Sequence, residues 1–494
     1  MPPATLVLGI DIGTSSSKGV VVDAGDGTVV ARAEVEHATS FPHPGWVEHD
    51  AEGVWWADLA SITRELLAHG TPDAVGVSGI GPVLLPADAE ARPLRPAILY
   101  GVDTRATREI AELTDEIGAE VIVARGGTPL SSQAVGPKWR WLQRHEPEVW
   151  DATRHFFMAS SYLVHRLTGE YVLDHHSASQ CDPMYDLEAA DWAPDLAELV
   201  APGLALPRLR WPGEVAGVVT EHAAAQTGLR AGTPVVTGTI DAWAEAASVG
   251  VERAGDTMVM YGTTMFLVQV ADAPVRHPAL WATRGVAPGS FTTAAGMATS
   301  GAITAWLRDL VGADYATLTD EAADVPPGAR GLLLLPYFAG ERTPILDPDA
   351  RGLVLGLTTG HGRAELYRAA LEGIAHGVRH NLEAFREAGG PDPRLVAVGG
   401  GTRGGLWTQI VSDVTGQEQH VPADTTGAAL GDAVLAARAL GLAADLASWN
   451  PIVATVTPDP DRTTRYDAFH QHYRALYPAT ADAAHFLAAE QRRA

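Results

Sequence analysis

The stretch GIDIGTSSSKG, residues 9–19, lies between the apolar residues Leu6 to Leu8 and Val20 to Val22. Thr5 to Asp23 therefore reads as strand, tight turn, strand. The turn consists of Gly13, Thr14, Ser15 and Ser16, small residues that leave backbone N–H groups and hydroxyls unshielded, and Lys18 follows on the second strand. A third run, Val29 to Val35, comes after the turn at Gly25 to Gly27, which predicts three successive antiparallel strands. Farther on, Val54, Leu59, Ile62, Leu66 and Leu67 are spaced for one face of a helix within Asp50 to His69, and Ala74 to Ser78 reads as a strand. A strand meander followed by helix and strand predicts an α/β domain with a mixed sheet.

The same shape returns at Thr257 to Val270, TMVMYGTTMFLVQV, where apolar runs flank Gly262, Thr263 and Thr264. We read this as an internal structural repeat. Glu365 to Ala388 repeats apolar residues at steps of three and four and stops at Gly389-Gly390-Pro391. A strand over Leu395 to Val398, a loop over Gly399 to Gly405 and a helix from about Leu406 to Val414 follow. With 494 residues the chain exceeds one ordinary core. The boundary falls near Gly238 to Gly255, giving units 1–246 and 247–494 with a binding cleft between them.

Lys and Arg number 35 against 60 Asp and Glu, a formal net charge of -25. That balance opposes nucleic acid and anionic membrane as partners. Cys181 is the single cysteine, so neither an internal disulfide nor a cysteine zinc cluster is available, and it reads as a small buried residue. No apolar run has the length to cross a bilayer, and the N-terminus lacks a signal-peptide pattern, so the expected location is the cytoplasm. The histidines have no zinc-binding spacing, and Gly76-Val77-Ser78-Gly79-Ile80 lacks the last glycine of a nucleophile elbow.

Chemistry concentrates at the turns. Asp11, at the end of the first strand, can hold Mg²⁺ through water, and the turn from Gly13 to Ser16 can approach phosphate oxygens; an ordinary hairpin remains the alternative. Gly262, Thr263 and Thr264 can supply a facing set of donors, so that two turns clamp a polyphosphate. Gly399 to Gly404 formally matches G-x-G-x-x-G, but it follows a long helix rather than opening an alternating βαβ series, and a loop over a nucleotide fits better than a dinucleotide site. Asp241, in VVTGTIDAWAEAASVG, follows an apolar strand and precedes a helix. It reads either as an N-cap or as a base projecting into the cleft.

Taken in order, these segments resemble the FGGY carbohydrate kinase family. The resemblance is carried by GIDIGTSSSKG, PGWVEHD, Lys138-Trp139-Arg140-Trp141, PYFAGERTPILDPDARGLVLGLT, LEGIAHGVRHNLE, GGGTRGGLWTQIVSDVTG and TTGAALGDAVLAA, nearly end to end. It implies two ribonuclease-H-like domains flanking a catalytic cleft, with ATP and Mg²⁺ as cofactors and a small sugar or polyol as substrate. It implies Asp241 as catalytic base and Asp11 as the metal-linked carboxylate. Gly13, Thr14, Ser15, Ser16, Lys18, Gly262, Thr263, Thr264, Gly301, Gly400, Gly401 and Gly405 are then expected around the nucleotide. Substrate contacts are expected from Ile80, Gly81, Pro82 and Asp103. The family's usual Gln-Met-His is replaced here by Ile80-Gly81-Pro82, which leaves the substrate open. A homodimer is a family expectation. The rival reading is an actin- or Hsp70-like ATPase without a sugar substrate, which shares the first turn; Asp241 and the Lys138 segment argue against it.

Overall fold

The computed structural model describes residues 4–425, 427–442 and 445–493. The opening hairpin is β1 (Leu6–Ile12) and β2 (Ser16–Asp23), paired antiparallel with Asp11 opposite Lys18, and β3 (Val29–Glu36) continues the meander. The expected helix over Asp50 to His69 forms in three pieces. A π turn over Ala51–Trp56 is capped by the Asp50 carboxylate, α1 (Ala57–Leu66) follows, and a last 3₁₀ turn closes it. Leu59, Ile62 and Leu66 of α1 are buried, as their spacing required.

Next comes β4 (Ala74–Gly79), parallel to β1 with Ser78 beside Asp11. A long insertion carries α2 (Val135–His145), whose Trp139 and Leu142 are buried. The chain then returns through β5 (Val215–Val218), β6 (Pro234–Val236) and β7 (Thr239–Ile240) and enters α3 (Asp241–Ser248). The first sheet runs β5-β6-β4-β1-β2-β3, with β7 parallel to β4 at its end.

The second half repeats the plan. Strands β8 (Asp256–Tyr261) and β9 (Met265–Ala271) form the second hairpin, and β10 (Trp281–Arg284) and β11 (Phe291–Met297) extend it. Helices α4 (Gly301–Val311) and α5 (Arg363–Glu387) lead to β12 (Arg394–Val398), which lies parallel to β8 as β4 lies parallel to β1. Then follow α6 (Leu406–Thr415), β13 (Gln419–Pro422), α7 (Ala428–Ala439), β14 (Ile452–Val456) and α8 (Pro460–Gln491). The sheet order is β10-β11-β9-β8-β12-β13-β14. The shared core of antiparallel hairpin plus parallel neighbour confirms the repeat. Among the described residues no helix is long and apolar enough to cross a membrane.

Helix α7 does not stay with the second sheet. It lies across β1 and β4 of the first sheet and against α3. Glycine permits the approach: a Cβ on Gly9 would stand 1.9 Å from the Ala429 carbonyl, one on Gly76 2.2 Å from the Asp432 carbonyl, and one on Gly431 1.8 Å from the Ala244 carbonyl. Val7, Val20 and Val22 are buried by this helix together with Trp449.

Gly431→Ala is therefore expected to lower stability by about 1–3 kcal/mol through overpacking, although alanine favours a helix interior by about 1 kcal/mol. The urea midpoint checks it; a rise would mean that α3 and α7 do not meet backbone to backbone.

Candidate active site

Three chain segments end side by side. Parallel β1, β4 and β7 bring Asp11, Ser78 and Thr239-Ile240 into register, and Asp241 begins α3 at the same edge. The carboxyl ends of parallel strands leave the side chains beyond them unpaired by the sheet, so ligands collect there. The N-cap position of α3 is Ile240, not Asp241, whose carboxylate accepts from the Ala242 N–H at 2.7 Å and lines the cleft. The N-cap reading of Asp241 is therefore corrected: it is the first helical residue, and its carboxylate lies at the cleft.

Two further acids join it. Glu245, one helical turn after Asp241, faces the same cleft; the sequence reading passed it over, although its i,i+4 spacing from Asp241 could have marked it. Asp432, on α7, accepts from the Ser78 hydroxyl at 2.7 Å, and that oxygen is also 3.2 Å from Asp11. Burial pushes Asp11 up to about 6, with Ser78 and Lys18 opposing the shift. Burial, then the neighbouring Asp11 carboxylate, hold Asp241 well above the usual carboxylate range. The same two causes raise Glu245 to about 8. Burial raises Asp432 well above the usual carboxylate range, and among the described residues its Oδ1 has no hydrogen-bond partner. Asp11, Asp241 and Glu245 are the oxygen donors this site offers a hard cation. Among the described residues no three acids, histidines or cysteines converge to enclose one directly.

The glycine turns stand around this edge. In the first, the Gly13 N–H donates to the Ser16 carbonyl at 3.0 Å, Thr14 Oγ1 lies 3.0 Å from the Tyr100 hydroxyl, and Ser15 is exposed. Lys18 faces the cleft beside Asp11. In the second, the Gly301 N–H donates to the Gly262 carbonyl at 3.0 Å and Ala302 to the Thr263 carbonyl at 3.0 Å, while Thr263 and Thr264 stay exposed. A Cβ on Gly301 would stand 2.6 Å from the Gly262 carbonyl, so glycine is required there. Gly400 and Gly401 border the cavities, whereas Gly405 does not. Gly405 sits at φ +76° as the N-cap of α6, and its task is to turn the chain.

Two cavities meet here. One of about 440 Å³ holds Asp11, Asp241, Glu245, Tyr100 and Arg342. The other, of about 580 Å³, carries Tyr315, Tyr367, Leu371 and Trp407 with Gly301 and Gly401. Tyr261, Gly262 and Gly400 belong to both.

The expected substrate loop needs correction. Ile80 is 1% exposed and belongs to the core, Pro82 is buried, and Gly81 alone of the three reaches the cleft. Asp103 does not reach it either. Its carboxylate accepts from the Val47 N–H at 2.7 Å and pairs with Arg105 at 2.7 Å, out of contact with solvent. It anchors the neighbouring loops instead.

Residues that the sequence reading passed over fill the space. Gln133 accepts from the Gly101 N–H at 2.9 Å through Oε1, leaving its amide N–H₂ toward the cavity. Lys138, buried and pushed down to about 7 by that burial, donates to the Ser132 carbonyl at 2.9 Å and steadies this loop. Arg342 donates to the Met297 carbonyl at 2.9 Å and lies near the Trp281 ring and Tyr100. Gln180, Asp182 and Trp281 complete the wall.

Comparison with known proteins agrees with this geometry. Residues 6–250 match the N-terminal domain model of the FGGY family of carbohydrate kinases, and residues 257–440 match its C-terminal domain. Xylulose kinase of Escherichia coli (strain K12) is 30% identical over 489 residues, 96% of this chain and 98% of that protein. Glycerol kinase of Nocardia farcinica is 32% identical over 514 residues, 96% of this chain and 99% of that one. Among solved structures, xylulose kinase from Rhodospirillum rubrum superposes with a TM-score of 0.89 at 33% identity, covering 97% of this chain and 100% of its own.

The carboxyl cluster generates a pH prediction. Burial lifts Glu245 to about 8 in the folded state against its ordinary value of 4.5, so the folded state holds the extra proton and loses stability as pH rises through that window. Without cation or nucleotide, the urea midpoint is expected to fall between pH 5 and 8.5, and Glu245→Gln to flatten the fall. An equally steep fall in that variant would overturn the assignment.

Proposed function

The chain belongs to the FGGY family of carbohydrate kinases, and from that premise we propose that Asp241 is the base of a phosphoryl transfer from ATP to a hydroxyl of a small sugar or polyol. The enzyme is a carbohydrate kinase. The observation that carries the role of Asp241 is its position at the edge of β1, β4 and β7, in the cavity that Gly262 and Gly400 share with the second one. The aromatic cavity suits the flat base of the nucleotide, and its outlet past Gly262 and Gly400 leads the phosphates toward Asp241.

In the reaction Asp241 accepts the proton of the attacking hydroxyl as its oxygen bonds to the γ-phosphorus and the bond to the ADP oxygen breaks. The transition state is loose, so positioning and charge neutralisation do most of the work, and a carboxylate suffices as base. Burial favours a protonated Asp241 in the empty cleft. Asp11, with Glu245 near, would hold Mg²⁺, which would supply positive charge to stabilise the ionised acids and the phosphates. Lys18 adds charge on the same side. Exposed Thr263 and Thr264, with the backbone of the two glycine turns, are donors for phosphate oxygens. Units 1–246 and 247–494 would close about the cleft and exclude water, which limits ATP hydrolysis.

Asp241→Asn is expected to lower kcat by about 10²–10⁴-fold with sugar KM little changed. A coupled ADP-release assay with Mg-ATP over ketoses, polyols and aldonates checks it. ADP release indifferent to every sugar, or untouched by the substitution, would favour an ATPase without a sugar substrate.

A further inference from the structure

The two walls of the catalytic cleft are unequally charged. The first half lines it with Asp11, Lys18, Asp182, Asp241 and Glu245, whereas the described residues of the second half bring a single charged side chain, Arg342. Two other polar groups of that second wall are already engaged. The Tyr261 hydroxyl donates to Gln419 at 2.6 Å, and the Thr283 hydroxyl lies 2.7 Å from that of Thr292.

Arg342 is held in place but has donors to spare. Nη2 donates to the Met297 carbonyl at 2.9 Å, the Trp281 ring centre stands 5.9 Å from Cζ, and Nε has no hydrogen-bond partner. Among the described residues no carboxylate pairs with the guanidinium. The adjacent Glu341 engages its Oε1 with the Ala298 and Arg342 backbone N–H groups, at 2.8 and 2.7 Å. A guanidinium has five N–H donors and stays charged, so one bond to a carbonyl leaves most of them open. A partly buried charge without a counter-charge is unfavourable for the protein by itself.

The rest of the wall is shaped around this side chain. Gly296 of β11 lies opposite Phe266 of β9, and a Cβ on Gly296 would stand 3.0 Å from Arg342 Nη2 and 3.1 Å from Cζ, so a larger residue would crowd the guanidinium. Phe266 in turn meets Trp243 edge to face, their centroids 5.8 Å apart, two residues after Asp241 on α3. On the first half Tyr100 lies within the field of both Arg342 and Asp241. Arg342 thus reaches from the second half toward the part of the cleft that Asp241 serves.

We propose that Arg342 is the substrate anchor of the second half: its guanidinium donates to an oxygen of the sugar or polyol other than the attacking one, whose lone pair must stay free for phosphorus. Asp241 and Arg342 stand on opposite walls, so a substrate held by both is fully bound only when the walls come together, and its binding draws the halves closed. This inference rests on the kinase reading and adds to it the residue through which the substrate engages the second half.

The test uses the full chain with ketoses, polyols and aldonates of three to six carbons, read by Mg-ATP turnover and by calorimetric binding without ATP; the member bound most tightly becomes the probe. Arg342→Gln should raise KM and Kd for the probe about 10-fold or more and leave the KM for ATP within about twofold. In small-angle X-ray scattering the probe should shrink the radius of gyration of the wild type and not of this variant. Arg342→Lys, which keeps the charge without the fork, should recover part of the affinity. Gly296→Ala, which keeps Arg342 but crowds it, should weaken the probe about threefold or more with the same selectivity, and it carries the test should Arg342→Gln not fold. Probe affinity unchanged in Arg342→Gln and Gly296→Ala, a loss confined to kcat or to ATP, no contraction of the wild type, or no panel member bound overturns the proposal. Arg342-dependent binding of the probe without any phosphorylated product would sink the kinase reading alone.

Discussion

Everything in the site depends on α7 reaching the first sheet. That contact is made backbone to backbone, through Gly9, Gly76 and Gly431, where a single methyl group would collide with a carbonyl. So close an approach sets Asp432 beneath Ser78, and Ser78 beside Asp11. The same helix begins at Ala428, in the wall of the cleft. One packing interaction therefore fixes the sheet, the Asp11 carboxylate and one edge of the cavity together.

The price of the arrangement is electrostatic. Four carboxyl groups gather around one strand edge, with burial raising the affinity of each for a proton and the Asp11 carboxylate raising it further for Asp241, Glu245 and Asp432. A sequence selected for stability alone would replace several with apolar residues. Their presence marks the place where the fold yields to chemistry, since a cluster of buried acids is unfavourable for the protein by itself.

Local signals carried much of this into the sequence. The two hairpins were legible because small-residue turns interrupt apolar runs, and α5 because its period is unbroken over many turns. Asp241 was legible as a carboxylate at a strand end. Asp103 and Ile80 misled for one reason: motif position says which loop a residue occupies, not which way its side chain points. Asp103 turned to Val47 and Arg105, and Ile80 into the core. Gly405 likewise serves its own backbone angle. Gln180 and Asp182 lacked any signal, because their place in the cavity wall is set by the fold, which local pattern does not reveal. The attachment of α7 to β1 spans some four hundred residues and has no local period; its trace is the run of small residues in TTGAALGDAVLAA, which is readable only once the partner glycines are known.

The path of α7 also bears on how the protein is made. Val7, Val20 and Val22 leave the ribosome roughly four hundred residues before the helix that covers them. Throughout elongation that face of the first sheet stays without its native cover, so the first half cannot complete its core as synthesis proceeds. The nascent chain must keep an apolar sheet face from other partners until its own distant segment arrives, which makes the period of translation, more than the finished molecule, the stage most exposed to aggregation and most dependent on chaperones.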